Sequence, residues 1–152
     1  MFARRICGEG FPDFYAKDED LWHTCEGFIG ELLELAGGCT PMSKWNLNYD
    51  SNGDPVVTDC QKNNFALYYT SPESISAFQR LYENTDGLQD KFMAYWAQVA
   101  DQYKFLEYVI GYDPINEPYP ANYLEDPTIV LTPGRFDRKY LQPLYKNAYD
   151  VY

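Results

Sequence analysis

Tyr108-Val109-Ile110-Gly111-Tyr112-Asp113-Pro114-Ile115-Asn116-Glu117-Pro118-Tyr119 is the stretch on which the fold reading turns. Its first five residues are apolar with β-branched side chains at 109 and 110, the composition of a short strand buried on both faces. Asp113-Pro114 breaks regular structure, and the polar triplet Asn116-Glu117-Pro118 comes directly after. In a β/α barrel the carboxyl end of each strand faces the active site. A carboxyl group at that lip, beside Tyr112 and Tyr119, would be partly desolvated, as suits a general acid that delivers a proton to a leaving oxygen. Asn116 offers a donor and an acceptor to a sugar hydroxyl. On residue chemistry alone the triplet is a weak sign, since Asn-Glu-Pro also closes strands in loops with no catalytic task.

Working outward, Ser71-Pro72-Glu73 combines a cap, a proline at the first helical position and an acid in the first turn, which predicts a helix to about Tyr82. Thr85-Asp86-Gly87 opens a longer helix. There Leu88, Phe92, Tyr95, Trp96, Val99, Ala100 and Tyr103 fall at steps of three and four, one apolar stripe against a core. Beyond the Asn-Glu-Pro loop a last helix is predicted from about Asp137 or Arg138 toward Tyr152, with Gln142-Pro143 in its early turns. Helix, strand, loop, helix is the rhythm of an α/β fold with a parallel sheet. One such unit does not close a barrel, which takes about 250 residues. The expected fold class is therefore α/β, a partial (β/α)8 TIM barrel, incomplete as given.

Residues 1–70 read differently. Gly8, Gly10, Pro12, Gly37, Gly38, Pro41, Gly53 and Pro55 punctuate a long loop region, of the kind that is usually functional. One short helix is predicted from Phe28 to Ala36, ended by Gly37. The Asp50/Asn52/Asp54 alternation has part of a calcium loop but lacks Gly at its sixth place and Glu at its twelfth, so it reads as a turn. Cys7, Cys25, Cys39 and Cys60 match no zinc spacing. They form two disulfides, in one of three connectivities, or stay unpaired as small hydrophobes. His23 is expected at the surface. Trp22, Trp45, Phe65, Tyr68 and Tyr69 offer faces for a sugar or lipid, or else pack within the loop.

With 45% apolar and 23% charged residues, the 152-residue chain has a globular composition. Fifteen Tyr, nine Phe and three Trp make it rich in side chains that join an apolar face to a polar edge, as sugars do. A net charge of −11 opposes nucleic-acid phosphates and anionic lipid alike. No apolar run is long enough for stable membrane insertion, no secretory signal is apparent and no Asn-x-Ser/Thr acceptor is present.

The stretch from Val109 to Tyr119 resembles the fourth-strand signature of glycoside hydrolase family 5, in its endoglycoceramidase branch. Other segments agree in order. Cys7-Gly8-Glu9-Gly10-Phe11-Pro12-Asp13-Phe14 is similar to the branch's third-strand loop. Ala77 to Asn84 with Asp86 to Phe92 is similar to its third helical region. Pro133 to Asp137 with Tyr140 to Tyr145 is similar to the segment after the acid/base loop. The resemblance implies that residues 1–152 are the central part of one glycosidase domain, from about the third strand to the fourth helix. It implies a retaining mechanism with no cofactor, with Glu117 as acid/base, Asn116 on the sugar 2-hydroxyl, and Tyr119, Glu9 and Asp13 as substrate contacts. The implied partner is a glycolipid or oligosaccharide, and the implied compartment secreted or lysosomal. No residue matches the family's nucleophile motif, so the chain by itself is expected to be inactive. Steryl-glucosidase or β-glucanase activity, and a non-catalytic binding module, stay open as alternatives.

Overall fold

The computed structural model describes residues 4–8, 12–17, 21–25 and 27–152. Six α-helices lie among them: α1 (Gly27–Leu35), α2 (Val57–Cys60), α3 (Pro72–Tyr82), α4 (Leu88–Tyr103), α5 (Thr128–Leu131) and α6 (Gln142–Tyr149).

Helix α3 starts where the sequence predicts. The Ser71 hydroxyl accepts from the Ser74 amide at 3.2 Å, Pro72 fills the first turn and Glu73 lies at the positive end of the helix. Every residue of α3 except Arg80 is buried, so this helix is the axis of the molecule. Ala77, Phe78, Leu81 and Tyr82 pack into the main core with Tyr15, Leu88, Tyr140 and Leu144. Ile75 joins a smaller core with Leu124 and the Cys25–Cys39 pair.

A buried helix with Glu73, Ser74, Ser76 and Gln79 on it must find partners for those groups, because each one left unmatched costs about 1–3 kcal/mol. The loops supply them. Glu73 accepts from the Met42 amide at 3.1 Å, and Ser74 donates to the Tyr68 carbonyl at 2.7 Å. Ser76 accepts from the Trp22 amide at 3.1 Å, and Gln79 accepts from the Asn122 amide at 2.8 Å. The polar groups of α3 thus serve as anchors for the surrounding chain.

The start of α4 is set by Asn84, whose Oδ1 accepts from the amides of Gln89 at 2.9 Å and Asp90 at 3.1 Å. Asn84, Asp86 and Gly87 all take left-handed backbone, with φ of 55°, 54° and 69°, which only Gly87 adopts without a steric cost. Gln89 links three helices. Its Nε2 donates to the Leu81 and Tyr82 carbonyls at the end of α3, and its Oε1 accepts from Asn147 of α6 at 2.7 Å. The stripe expected on α4 is only partly realised. Leu88 and Ala100 are buried and Phe92, Trp96 and Val99 less completely covered, but Tyr95 and Tyr103 face solvent while Met93 is buried.

Before α6 the residues Asp137–Leu141 form a π turn, in which the Gln142 amide donates to the Asp137 carbonyl five residues back. Pro143 explains it. Having no N–H for the carbonyl four residues earlier, it is accommodated by a wider register just ahead of it.

No strand forms at Tyr108–Tyr112, which corrects the α/β expectation for this chain. Residues 109–112 carry neither helix nor ladder, and Tyr108 and Ile110 are fully exposed. A buried parallel strand needs hydrogen-bonded neighbours on both edges. Among the described residues the one β pairing is the isolated bridge between Tyr49 and Pro55, so this stretch has no partner. The described residues are mostly helical and show no barrel.

The cysteines pair as Cys7–Cys60 and Cys25–Cys39, with Cα atoms 5.4 and 6.3 Å apart. The small loop is nested inside the large one. Closing loops of this length stabilises by about 4 and about 3 kcal/mol in the chain-entropy picture. The inner bridge brackets α1, which ends as predicted with Gly37 at φ 74°. Asp50 proves to be a turn residue, its Oδ1 accepting from the amides of Asn52 and Asp54.

Candidate active site

Glu117 lies on the loop between α4 and α5, with φ of 46°. The left-handed region costs a residue bearing a Cβ about 1–2 kcal/mol. Both Glu117 and Asn116 lie at the surface, and neither makes a hydrogen bond or ion pair among the described residues.

The desolvation expected from flanking tyrosines does not arise here, because both rings are drawn elsewhere. Tyr112 packs on Trp96 and Tyr152, with centroids 6.2 and 4.8 Å apart. Tyr119 turns toward α3 and sits 5.7 Å from Tyr69 and 5.8 Å from Phe78. Its carbonyl accepts from the Tyr82 hydroxyl at 2.8 Å, and its hydroxyl lies 3.2 Å from that of Tyr123. Burial, reinforced by the Tyr123 contact, raises the Tyr119 phenol above its ordinary value. Such a phenol stays neutral near pH 7. The loop is thus fixed downstream, at Tyr119 and Asn122, and presents its Asn116-Glu117 tip to solvent.

The other expected contacts separate from this tip. Glu9 lies outside the described residues. Asp13 accepts from the Arg4 amide at 3.1 Å, with the Arg4 guanidinium 3.7 Å away. No hydrogen bond or ion pair links Asp13 to Asn116, Glu117 or Tyr119 among the described residues. Of the loop aromatics, Trp45 packs on Tyr68 at 5.0 Å and Phe65 on Tyr69 at 6.3 Å. Trp22 instead lines a cavity.

A feature that sequence reading missed lies at the start of α3. The Glu73 carboxylate is buried, accepts from the Met42 amide and sits 3.2 Å from His23 Nδ1. Burial raises its proton affinity, while the bonds to Met42 and His23 oppose that. His23 is half exposed, as a surface residue should be, yet it is tied to this acid. The segment Leu21-Trp22-His23-Thr24 alternates between two cavities. Leu21 and His23 line one of about 470 Å³ with Glu73, while Trp22 and Thr24 line one of about 400 Å³ with Asn122 and Glu125. No hydropathy alternation marks it, since Leu21 and Trp22 are apolar and His23 and Thr24 polar. No group of three or more His, Cys, Asp or Glu positioned to hold a metal occurs among the described residues.

These features define a disulfide-bonded helical segment that displays Glu117, in left-handed backbone, on an exposed loop. Over 95% of its length the chain is 35% identical to an endoglycoceramidase of Hydra vulgaris, and over 99% it is 33% identical to an endoglycoceramidase of Cyanea nozakii. It covers 25% and 26% of those proteins, so it spans about a quarter of the curated relatives it matches. The resemblance read from the sequence is thereby shown: the chain is similar, almost end to end, to a segment of the endoglycoceramidases. No family model and no solved structure matches it.

Proposed function

We propose that this chain is a segment of a retaining glycosidase that hydrolyses the bond between a glycan and ceramide, and that Glu117 is its acid/base. The observation that carries the reading is the similarity, along nearly the whole chain, to two relatives named endoglycoceramidase. The Asn116-Glu117-Pro118 motif then selects the residue. The choice rests on that motif position, since the Glu117 carboxylate is exposed in this chain; the loop that bears it is fastened to α3 through Asn122 and Gln79.

In this reading the stretch Tyr108–Tyr112 is a barrel strand in the longer protein, paired on both edges, and the loop tip then faces the barrel's mouth. Glu117 protonates the glycosidic oxygen as a second carboxylate, about 5 Å away, attacks the anomeric carbon. The ionised Glu117 next takes a proton from water, and that water releases the glycan from the second carboxylate. Asn116 holds the 2-hydroxyl of the sugar being cleaved. In this reading the second carboxylate lies outside the chain, since no residue of it matches the family's nucleophile motif, and the chain alone would form no glycosyl-enzyme. The two disulfides suit an oxidising compartment.

The test is a substrate panel applied to a protein containing this segment within a complete domain: glycosylceramide, steryl glucoside and β-glucan. Release of intact glycan from glycosylceramide, faster than from the other two, is expected. Preference for either of the others overturns the substrate assignment, and inactivity on all three overturns the glycosidase reading.

A further inference from the structure

We infer that the open cavity of about 400 Å³ between the Trp22–Thr24 strap and the Asn122–Glu125 turn is a subsite for a neutral hexose unit of a glycan. The choice of ligand class rests on the glycosidase reading above; the site itself rests on its own geometry. Trp22, 39% exposed, supplies an aromatic wall, and Leu124 an apolar one. Apolar C–H faces of a pyranose pack on such walls. Thr24, Asn122 and Glu125 supply a hydroxyl, a carboxamide and a carboxylate around the same space, the mixed donors and acceptors that ring hydroxyls require.

The Asn122 side chain donates to Glu125 Oε2 at 3.1 Å, which orients the pair while leaving acceptor capacity on the carboxylate. A carboxylate in the wall, on a chain of net charge −11, repels an acidic sugar and leaves a neutral one as the fitting ligand.

The cavity is also held in shape before any ligand arrives. Its two walls come from chain segments about 100 residues apart, yet both are fastened to one buried helix. The Trp22 amide donates to Ser76 Oγ at 3.1 Å and the Asn122 amide to Gln79 Oε1 at 2.8 Å, three residues along α3. Leu124 is further locked into the small core beside the Cys25–Cys39 bridge. Walls already ordered lose little freedom on binding. Asn122 and Glu125 stand five and eight residues beyond Glu117 on the same loop, so a sugar seated here shares its support with the cleavage site.

The test is saturation-transfer NMR and a fluorescence titration of the 152-residue chain with lactose and with its sialylated counterpart. Lactose is expected to bind and the sialylated sugar to bind less well. Trp22→Ala is expected to weaken lactose binding by roughly tenfold, and Glu125→Gln to relax the discrimination against the acidic sugar. Glu125 lies at the surface, so Glu125→Ala provides a variant whose folding is not at stake and whose lactose affinity should fall several-fold. Unaltered affinity in both Trp22→Ala and Glu125→Ala, or no lactose binding by the unmodified chain, overturns the subsite. Inactivity of the longer protein on all three substrates would sink the glycosidase reading and leave a measured subsite standing.

Discussion

Replacing Gln79 by alanine tests the idea that the polar groups on α3 hold the loops in place. Gln79 is buried, and its Oε1 accepts from the Asn122 amide at 2.8 Å. Its Nε2 donates to the Tyr140 hydroxyl at 3.2 Å and also to Glu83. The alanine variant strands the Asn122 amide and removes a partner from Tyr140, each loss amounting to about 1 kcal/mol or more. Vacated volume in a packed interior adds to this, for a sum of about 2–4 kcal/mol. Urea unfolding followed by far-UV circular dichroism, with the disulfides intact, should show the midpoint lowered by about 1–2 M at unchanged slope. Hydrogen exchange should report lost protection at Asn122 beyond the average for the chain. A change below about 0.5 kcal/mol, within the range of an ordinary surface substitution, would refute the anchoring role. So would a uniform loss of protection with none specific to Asn122.

Gly30→Ala should destabilise, although alanine is favoured over glycine within helices by about 1 kcal/mol. A Cβ at position 30 would lie 2.6 Å from the Cys25 carbonyl oxygen, a backbone group that the Cys25–Cys39 bridge holds in place; a stabilised variant in the same urea assay would show that this approach is not tight. Glu73 gives a pH dependence whose sign is fixed by burial. Its folded-state proton affinity is raised, so the folded form holds the proton more tightly than the unfolded. Its contribution is therefore fully present below the ordinary glutamate value of about 4.3 and is lost as pH rises through the folded-state value. Glu73→Gln should flatten the decline in stability above about pH 4.3, and an unchanged profile would count against the assignment.

The helices were legible because their limits are local. Ser71, Pro72 and Glu73 mark the start of α3 by chemistry within one turn, and Gly37 marks the end of α1 by its backbone freedom. The strand at 108–112 was not realised, because strand formation depends on neighbours rather than on the stretch itself. Tyr95 and Tyr103 satisfy the periodicity on α4 yet stay exposed; periodicity orders residues around a helix without saying how wide a face the partner covers. The disulfide pairing could not be read from four spacings, since three connectivities fit them equally. At the candidate site, Asn116, Glu117 and Tyr119 are assigned by motif alone. The surroundings of Glu117 were misjudged, because Tyr112 and Tyr119 find better partners in Tyr152 and Phe78. The His23–Glu73 contact spans 50 residues, a separation that no local pattern records.

The role of Glu117 is tested most directly by Glu117→Gln in a protein carrying this segment within a complete domain. Release of glycan from glycosylceramide should fall by about 10²–10⁴-fold, the range for loss of a positioned proton donor. A substrate whose leaving group needs no proton should still form the glycosyl-enzyme, and added azide, which needs no general base, should restore its turnover. Glycan release at the unmodified rate, or a loss that neither an activated substrate nor azide relieves, would contradict Glu117 as the acid/base.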